Sequence, residues 1–358
     1  MGCTCSQQDV ETEKNNEMEK KDDKVEINEN ILLEQNINEN ENFSEVNKLK
    51  GTPPQAIYET KEKFISTNQE NENNEVNKNK DEIYQEITTE KINEKDYNNL
   101  IEEYPPIDDN IEVERRSPKE NKDNKVIYFG EWEKNTNIRH GRGIQIWPDG
   151  AKYTGYWKND KASGIGKLYH SDGSYYDGEW LDDKPNGHGI YKHSDGTKYE
   201  GDWKDDKQNG KGKEIWPDGA IYEGEYKDGQ KNGFGKFSWS NGSIYEGNFE
   251  NNNISGEGTY LFGDKRKYVG SWSNNQLNGK GIFSWPDGRE YNGEYKNDKK
   301  EGYGTFKWPN GKIYKGQWKN GKQDGVGEFF FPSNNKWKKG IWEKGKKIRW
   351  LEEKPDYF

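Results

Sequence analysis

Along residues 126–335, apolar and polar positions follow a fixed beat. Tyrosine recurs at 128, 153, 176, 199, 222, 245, 268, 291 and 314, a period of 23 residues after a first interval of 25. Two residues after each tyrosine stands a glycine, from Gly130 to Gly316. Two further on stands an aromatic: Trp132, Trp157, Trp180, Trp203, Tyr226, Phe249, Trp272, Tyr295 and Trp318. Side chains alternate across a strand, so Y-x-G-x-W puts its tyrosine, glycine and second ring on one face. A polar loop follows, then a G-x-G pair, from Gly141 and Gly143 through Gly325 and Gly327. Gly279, Gly281, Phe283 and Trp285 share a face by the same rule. The units end in turns such as WPDG at 147–150, 216–219 and 285–288, WPNG at 308–311, and HSDG at 170–173 and 193–196. Proline presets φ, aspartate bonds its own backbone and glycine takes the left-handed conformation. Each unit therefore predicts a β-hairpin. Nine in a row predict an all-β, elongated, single-layer antiparallel meander.

Glycine is costly inside a strand unless something lies close over the bare backbone. Here a ring from a neighbouring strand can cover it. About 18 strands at ~4.8 Å spacing give a twisted rod roughly 85 Å long. The exposed side of that aromatic row is expected to offer a groove for an extended peptide or a helix. The residues expected to touch such a partner are Tyr153, Trp157, Tyr176, Trp180, Tyr199, Trp203, Tyr222, Trp239, Tyr245, Tyr268, Trp272, Trp285, Tyr291, Trp308, Tyr314 and Trp318.

The pattern Y-x-G-x-W, polar loop, G-x-G and glycine turn resembles the MORN (membrane occupation and recognition nexus) repeat over residues 126–335. Departures are local: Lys265 stands where a turn glycine belongs, and residues 336–358 form a degenerate capping half-repeat with a basic and aromatic tail. The resemblance implies a protein that joins membranes to other structures, as junctophilins do at membrane junctions and other members do in cilia and the protist cortex. Plant phosphatidylinositol-phosphate kinases carry such repeats ahead of a kinase domain. This chain ends at Phe358, soon after the repeats, and no kinase domain is expected.

Ahead of the repeats the pattern is lost. Residues 7–125 are rich in Glu, Asn and Lys, with 32 acidic and 17 basic residues in 1–125. Such a segment buries too little apolar surface to offset chain entropy and is expected to be a mostly disordered acidic tether. A coil of ~120 residues spans roughly 60 Å. One stretch differs. Tyr97, Leu100, Ile101 and Tyr104 fall on one helical face before Pro105 and Pro106, predicting a short docking helix near 97–104. It is a candidate to fill the aromatic groove in cis.

Composition narrows the function. Apolar residues are 28% of the chain, half of them aromatic, against 34% charged. No stretch reaches the ~18 apolar residues of a membrane span. The net charge of −11 is concentrated ahead of the repeats. The nearly neutral body lacks the basic face that nucleic acid requires. No catalytic constellation, cofactor or metal is expected. His170 and His193 replace the turn tryptophan in adjacent repeats, roughly 10 Å apart, too far to share a zinc at ~2.0–2.1 Å per ligand. The acidic doublets Asp182/Asp183 and Asp205/Asp206 are read as solvated loop residues. Lys338, Lys339, Lys346, Lys347 and Arg349, interleaved with Trp337, Trp342 and Trp350, are a candidate contact for anionic lipid. The same residues also suit a last edge strand guarded by lysines.

The first six residues, MGCTCS, hold the only two cysteines. Gly2 with Ser6 matches the M-G-x-x-x-[ST] pattern for myristoylation, and Cys3 and Cys5 stand where palmitate is added. The arrangement resembles the dually acylated start of Src-family kinases. One myristoyl chain binds only marginally, and the acidic tether cannot serve as a second signal, so the cysteines must. The expected protein is a non-enzymatic scaffold on the cytoplasmic face of a membrane: plasma membrane, cell cortex or ciliary membrane. Its partners would be the membrane and a protein in the groove, and it is a candidate homodimer. The alternatives are an axonemal subunit similar to radial-spoke head proteins, or a regulatory subunit of a phosphoinositide-modifying enzyme.

Overall fold

The computed structural model describes residues 94–106 and 109–351. Gly2, Cys3, Cys5 and most of the expected tether lie outside the described residues. A helix, α1 (Glu94–Glu103), precedes the strands. They are β1 (Val113–Glu120), β2 (Ile127–Glu133), β3 (Arg139–Ile146), β4 (Lys152–Lys158), β5 (Lys161–Tyr169), β6 (Tyr175–Leu181) and β7 (Lys184–Lys192). Next come β8 (Lys198–Lys204), β9 (Lys207–Ile215), β10 (Ile221–Lys227), β11 (Gln230–Ser238), β12 (Ile244–Glu250), β13 (Asn253–Leu261) and β14 (Lys267–Ser273). The last are β15 (Gln276–Ser284), β16 (Glu290–Lys296), β17 (Lys299–Lys307), β18 (Ile313–Lys319), β19 (Lys322–Phe331), β20 (Lys336–Glu343) and β21 (Lys346–Trp350). Among the described residues the architecture is all-β, an open antiparallel sheet of 21 strands. It divides into two compact units, one up to Asn253 and one from Ile254 onward, and the two are built alike.

In the first unit the hairpin of β4 and β5 shows the construction. Asn159 and Asp160, both at positive φ (50° and 68°), make the two-residue turn whose twist suits a hairpin. Gly155 faces Gly166, and Trp157 faces Ala162. Between those pairs β4 carries one residue and β5 carries residues 163–165, so β5 bulges. The bulge is made at Gly164, whose φ of 95° a side-chain-bearing residue rarely adopts. The ring of Tyr153 lies over the Gly155–Gly166 pair. A Cβ built on Gly166 would stand 2.3 Å from the Tyr153 Oη, and one on Gly155 would stand 2.4 Å from the Gly166 Cα. The connection from the preceding hairpin is the expected turn: at 147–150 the Gly150 N–H donates to the Trp147 carbonyl (3.0 Å), and Asp149 Oδ1 accepts from the Ala151 N–H (3.0 Å).

The second unit repeats the scheme. Gly270 faces Gly281 in β14 and β15, with Tyr268 over both. Gly293 faces Gly304 in β16 and β17, and Gly316 faces Gly327 in β18 and β19. Lys265 takes the left-handed place of the missing turn glycine (φ 73°) and completes the turn to Phe262. β20 and β21 pair after β19, and Trp350 packs edge-on against Trp342.

One feature departs from the expected boundaries and another from the expected docking place. The sheet begins at β1, which pairs with β2 from Val113 to Glu120 inside the segment read as tether. That strand reads VERRSPKE, too polar and too interrupted by proline to signal itself in isolation. The helix around 97–104 is present, but it sits on the face opposite the aromatic row. There Tyr97, Leu100 and Tyr104 are buried with Phe129 and Ile144.

Candidate functional site: the two faces of the sheet

The sixteen rings expected to line an open groove form the interior of the sheet. All but Trp239, which is half-buried, are buried. Within each unit the repeat tyrosines meet the second ring of their own strand and that of the next repeat at right angles. Tyr153 packs on Trp157 (5.1 Å) and Trp180 (5.2 Å), Tyr176 on Trp180 (5.1 Å) and Trp203 (5.2 Å). In the second unit Tyr268 meets Trp272 (5.1 Å) and Tyr295 (5.4 Å), and Tyr291 meets Trp318 (5.1 Å). Edge-to-face contact is the favoured geometry for rings at this spacing. The hydroxyls of the repeat tyrosines are satisfied internally as well. Tyr153 Oη donates to the Tyr156 carbonyl (2.9 Å), and Tyr176 to Glu179, Tyr245 to Asn248 and Tyr314 to Gln317 in the same way. Trp180 Nε1 donates to the Gly166 carbonyl one repeat back (2.8 Å). Burial pushes the hydroxyls of Tyr176, Tyr199 and Tyr222 well above the ordinary tyrosine range, so they remain donors.

Charged residues enter this interior at defined places. Glu214 occupies the position of Phe237, Phe283 and Phe306 in their repeats, and its Oε2 accepts from Lys231 Nζ (2.8 Å) and Tyr226 Oη (3.0 Å). Lys300 Nζ lies between the rings of Trp285, Tyr291, Phe306 and Trp318, at 5.1 to 5.8 Å from their centroids. Asp206, expected to be solvated, is 4% exposed, with its carboxyl pushed up to about 7 by burial.

The opposite, outer face carries a built contact at its first repeat. Tyr97 packs on Phe129 (5.4 Å) beneath the Arg115 guanidinium (4.0 Å). Tyr104 meets the edge of Tyr156 (5.5 Å), and Tyr156 Oη donates to the Pro105 carbonyl. Arg142 and Glu131 form a buried pair (2.6 Å); Arg142 also donates to the Tyr104 carbonyl (3.3 Å), and Tyr97 Oη donates to Glu131 (3.3 Å). His140 Nε2 lies 2.7 Å from Asp109 Oδ2, tying the segment after α1 to β3. Sequence reasoning missed this seat. Its signal is that Phe129 and Ile144 are apolar at positions that most repeats give to charged or polar residues.

The basic residues near the C-terminal end divide between faces. Lys338 stands opposite Phe329, its Nζ over the rings of Phe331 and Trp350, and Lys347 lies over Trp350 (4.5 Å). Lys339 and Arg349 stand opposite Glu328 and Ile341, on the other side. Lys346 pairs across the turn with Glu343. The rings of His170 and His193 flank Tyr191 at 6.4 and 4.4 Å, and burial lowers the pKa of both. Among the described residues no cluster of His, Cys, Asp or Glu is arranged to hold a metal ion, and no helix is long and apolar enough to cross a membrane.

The sequence profile of the MORN repeat matches nine times, at residues 128–152, 153–175, 176–198, 199–221, 222–244, 245–265, 268–288, 291–313 and 314–336. No curated protein matches the chain. Among solved structures, the TCP domain of Drosophila melanogaster SAS-4, in complex with a proline-rich motif of Ana2, matches at 13% identity and a TM-score of 0.29, covering 51% of this chain and 90% of its own. A mutant TCP10 domain of Danio rerio CPAP matches at 13% identity and a TM-score of 0.23, covering 66% and 94%. These likenesses are too slight to bear on fold or function.

Proposed function

This chain belongs to the MORN-repeat family, and on that premise we propose that it is a membrane-anchored scaffold. Gly2, Cys3 and Cys5 carry fatty acyl groups, the acidic segment gives reach, and the repeats hold a protein partner or a cytoskeletal structure at the membrane's cytoplasmic face. Repeats of this family point to a membrane-associated or protein-binding scaffold. The observation that carries the reading is the use to which the repeats put their side chains. The aromatic rings and glycines are consumed in building the sheet, which leaves its mostly polar outer face as the surface available for binding. Such an array presents contact area rather than a reaction centre. The anchor rests on the M-G-C-x-C-S motif, in which two acylation types supply the two signals stable membrane attachment needs.

The test is metabolic labelling with alkyne analogues of myristate and palmitate, followed by fractionation. Wild type should incorporate both labels and sediment with membranes. Gly2→Ala should lose both labels and become soluble. Cys3→Ser/Cys5→Ser should keep myristate, lose palmitate and distribute between fractions. Equal solubility of all three proteins would sink the anchor.

A further inference from the structure

α1 packs on a cross-strand pair, Phe129 facing Ile144 across β2 and β3. The equivalent positions in the following repeats are Thr154/Lys167, Asp177/Ile190, Glu200/Lys213, Glu223/Lys236, Glu246/Thr259, Val269/Ile282, Asn292/Thr305 and Lys315/Glu328. The seventh repeat alone restores two apolar residues. Val269 faces Ile282 across β14 and β15, and they are 41% and 39% exposed. We propose that this pair is a second helix seat, filled by a basic amphipathic helix from a partner protein. The proposal goes beyond the scaffold reading by naming a partner class and the place where it docks.

The occupant's chemistry follows from what replaces the residues around α1. At the first seat Arg115 covers Tyr97, and Arg142 donates to the carbonyl of Tyr104, the residue after the helix. At the second seat Glu257 takes the place of Arg115, opposite Ser271 as Arg115 is opposite Glu131. The Ser271 hydroxyl holds that carboxylate in place (2.5 Å). Lys280 replaces Arg142 and Glu294 replaces Tyr156, and these two stand opposite each other across β15 and β16. A helix laid in the same direction as α1 would meet an acid beneath its first turn, aliphatic side chains beneath its middle and an acid beneath its last turn. Lys280 would be in reach of its terminal carbonyls. Lysine or arginine at both ends with an aliphatic anchor between them satisfies all of these, and cations near a helix C-terminus also suit its dipole. The acidic α1 of a second copy would place Glu102 and Glu103 toward Glu294.

The experiment uses the full chain and two fluorescein-labelled, hydrocarbon-stapled peptides of residues 94–104. One is unaltered and one carries Tyr97→Lys, Glu102→Lys and Glu103→Lys; stapling is needed because so short a helix is marginal alone. Fluorescence anisotropy should show saturable binding of the basic peptide, at least about tenfold weaker for the unaltered one and weakened by salt. Val269→Asp/Ile282→Asp should abolish binding, and Val269→Thr/Ile282→Thr should weaken it. Glu223→Gln/Lys236→Gln, the same positions in another repeat, should leave it intact. Unchanged melting of the variants would show that they fold. Absence of saturable binding, equal affinity for both peptides, or indifference to Val269→Asp/Ile282→Asp would overturn the proposal. A dimer in sedimentation that Val269→Asp/Ile282→Asp dissolves would instead seat a second copy there and also overturn it. The assay involves no membrane, so its failure and the failure of the lipid anchor are separate results.

Discussion

Pro185 stands where Asp206 needs a backbone N–H. At other junctions the second residue of the hairpin turn accepts from an N–H one repeat back: Asp160 from Arg139 (2.9 Å), Asp183 from Ala162 (2.8 Å), Asn252 from Lys231 (2.8 Å) and Asp298 from Leu277 (2.8 Å). Asp206 keeps only the reciprocal bond, from its own N–H to the Pro185 carbonyl (3.0 Å). Proline has no N–H to give, so Asp206 Oδ2 is buried without a hydrogen-bond partner.

This makes stability depend on pH. The Asp206 carboxyl titrates at about 7 in the folded protein, and burial is the cause; unfolded it titrates near 3.9. A raised acid is most compatible with the fold when protonated. Its contribution is therefore full below about pH 4 and is lost as pH rises toward 7. Asp206→Asn should flatten that decline and stabilise the protein at pH 8 by about 2–4 kcal/mol. Pro185→Ala recreates the junction of Ala162 and Asp183, and should return the carboxyl to the ordinary range. Urea melts between pH 4 and 8, with wild type as reference, decide both.

The buried Glu214–Lys231 pair should behave as a unit. Lys231→Ile alone strands a carboxylate among rings and should cost about 3–5 kcal/mol. Glu214→Phe/Lys231→Ile restores the residue types of neighbouring repeats, Phe237 and Ile254 among them. It should recover wild-type stability or exceed it. Denaturant midpoints of the two variants give the comparison; equal loss in both would show that the pair is not coupled.

Tyr176 separates hydrogen bonding from packing. Tyr176→Phe removes only the bond to the Glu179 carbonyl (2.9 Å) and should cost about 1–2 kcal/mol. Gly178→Ala inserts a Cβ 2.5 Å from the Gly189 Cα and 2.7 Å from the Tyr176 Oη, with nowhere to move. It should cost more than about 3 kcal/mol and raise hydrogen exchange most in its own and adjacent repeats, since each repeat touches only its neighbours.

Leu100 anchors α1 in the outer-face seat and is buried there. Leu100→Ala should release the helix at a local cost of about 2–4 kcal/mol. Hydrogen exchange should rise in residues 97–104, while the amides of β14 and β15 stay protected.

Lys265→Gly should stabilise the turn, because a side-chain-bearing residue is held there at φ 73°. The gain expected is about 0.5–1 kcal/mol, read from thermal melts.

The 23-residue beat determined the hairpins, their pairing and the face each tyrosine takes, because a period of two and a tight turn leave one register that buries the rings. Tyr153, Gly155 and Trp157 were assignable from spacing alone. What only the tertiary structure decided is where the apolar surface goes once the sheet forms. Within each unit the tyrosines are roofed by rings from the next repeat, so the row is filled rather than open. α1 lies on the other face, because Phe129 and Ile144 offered the apolar pair there. β1 joins the sheet because β2 presents an edge to it, a property of β2 and not of the polar segment VERRSPKE. Such outcomes depend on which surfaces remain uncovered in three dimensions, and the apolar pair Phe129 and Ile144 gains its meaning only once the hairpin sets them opposite each other.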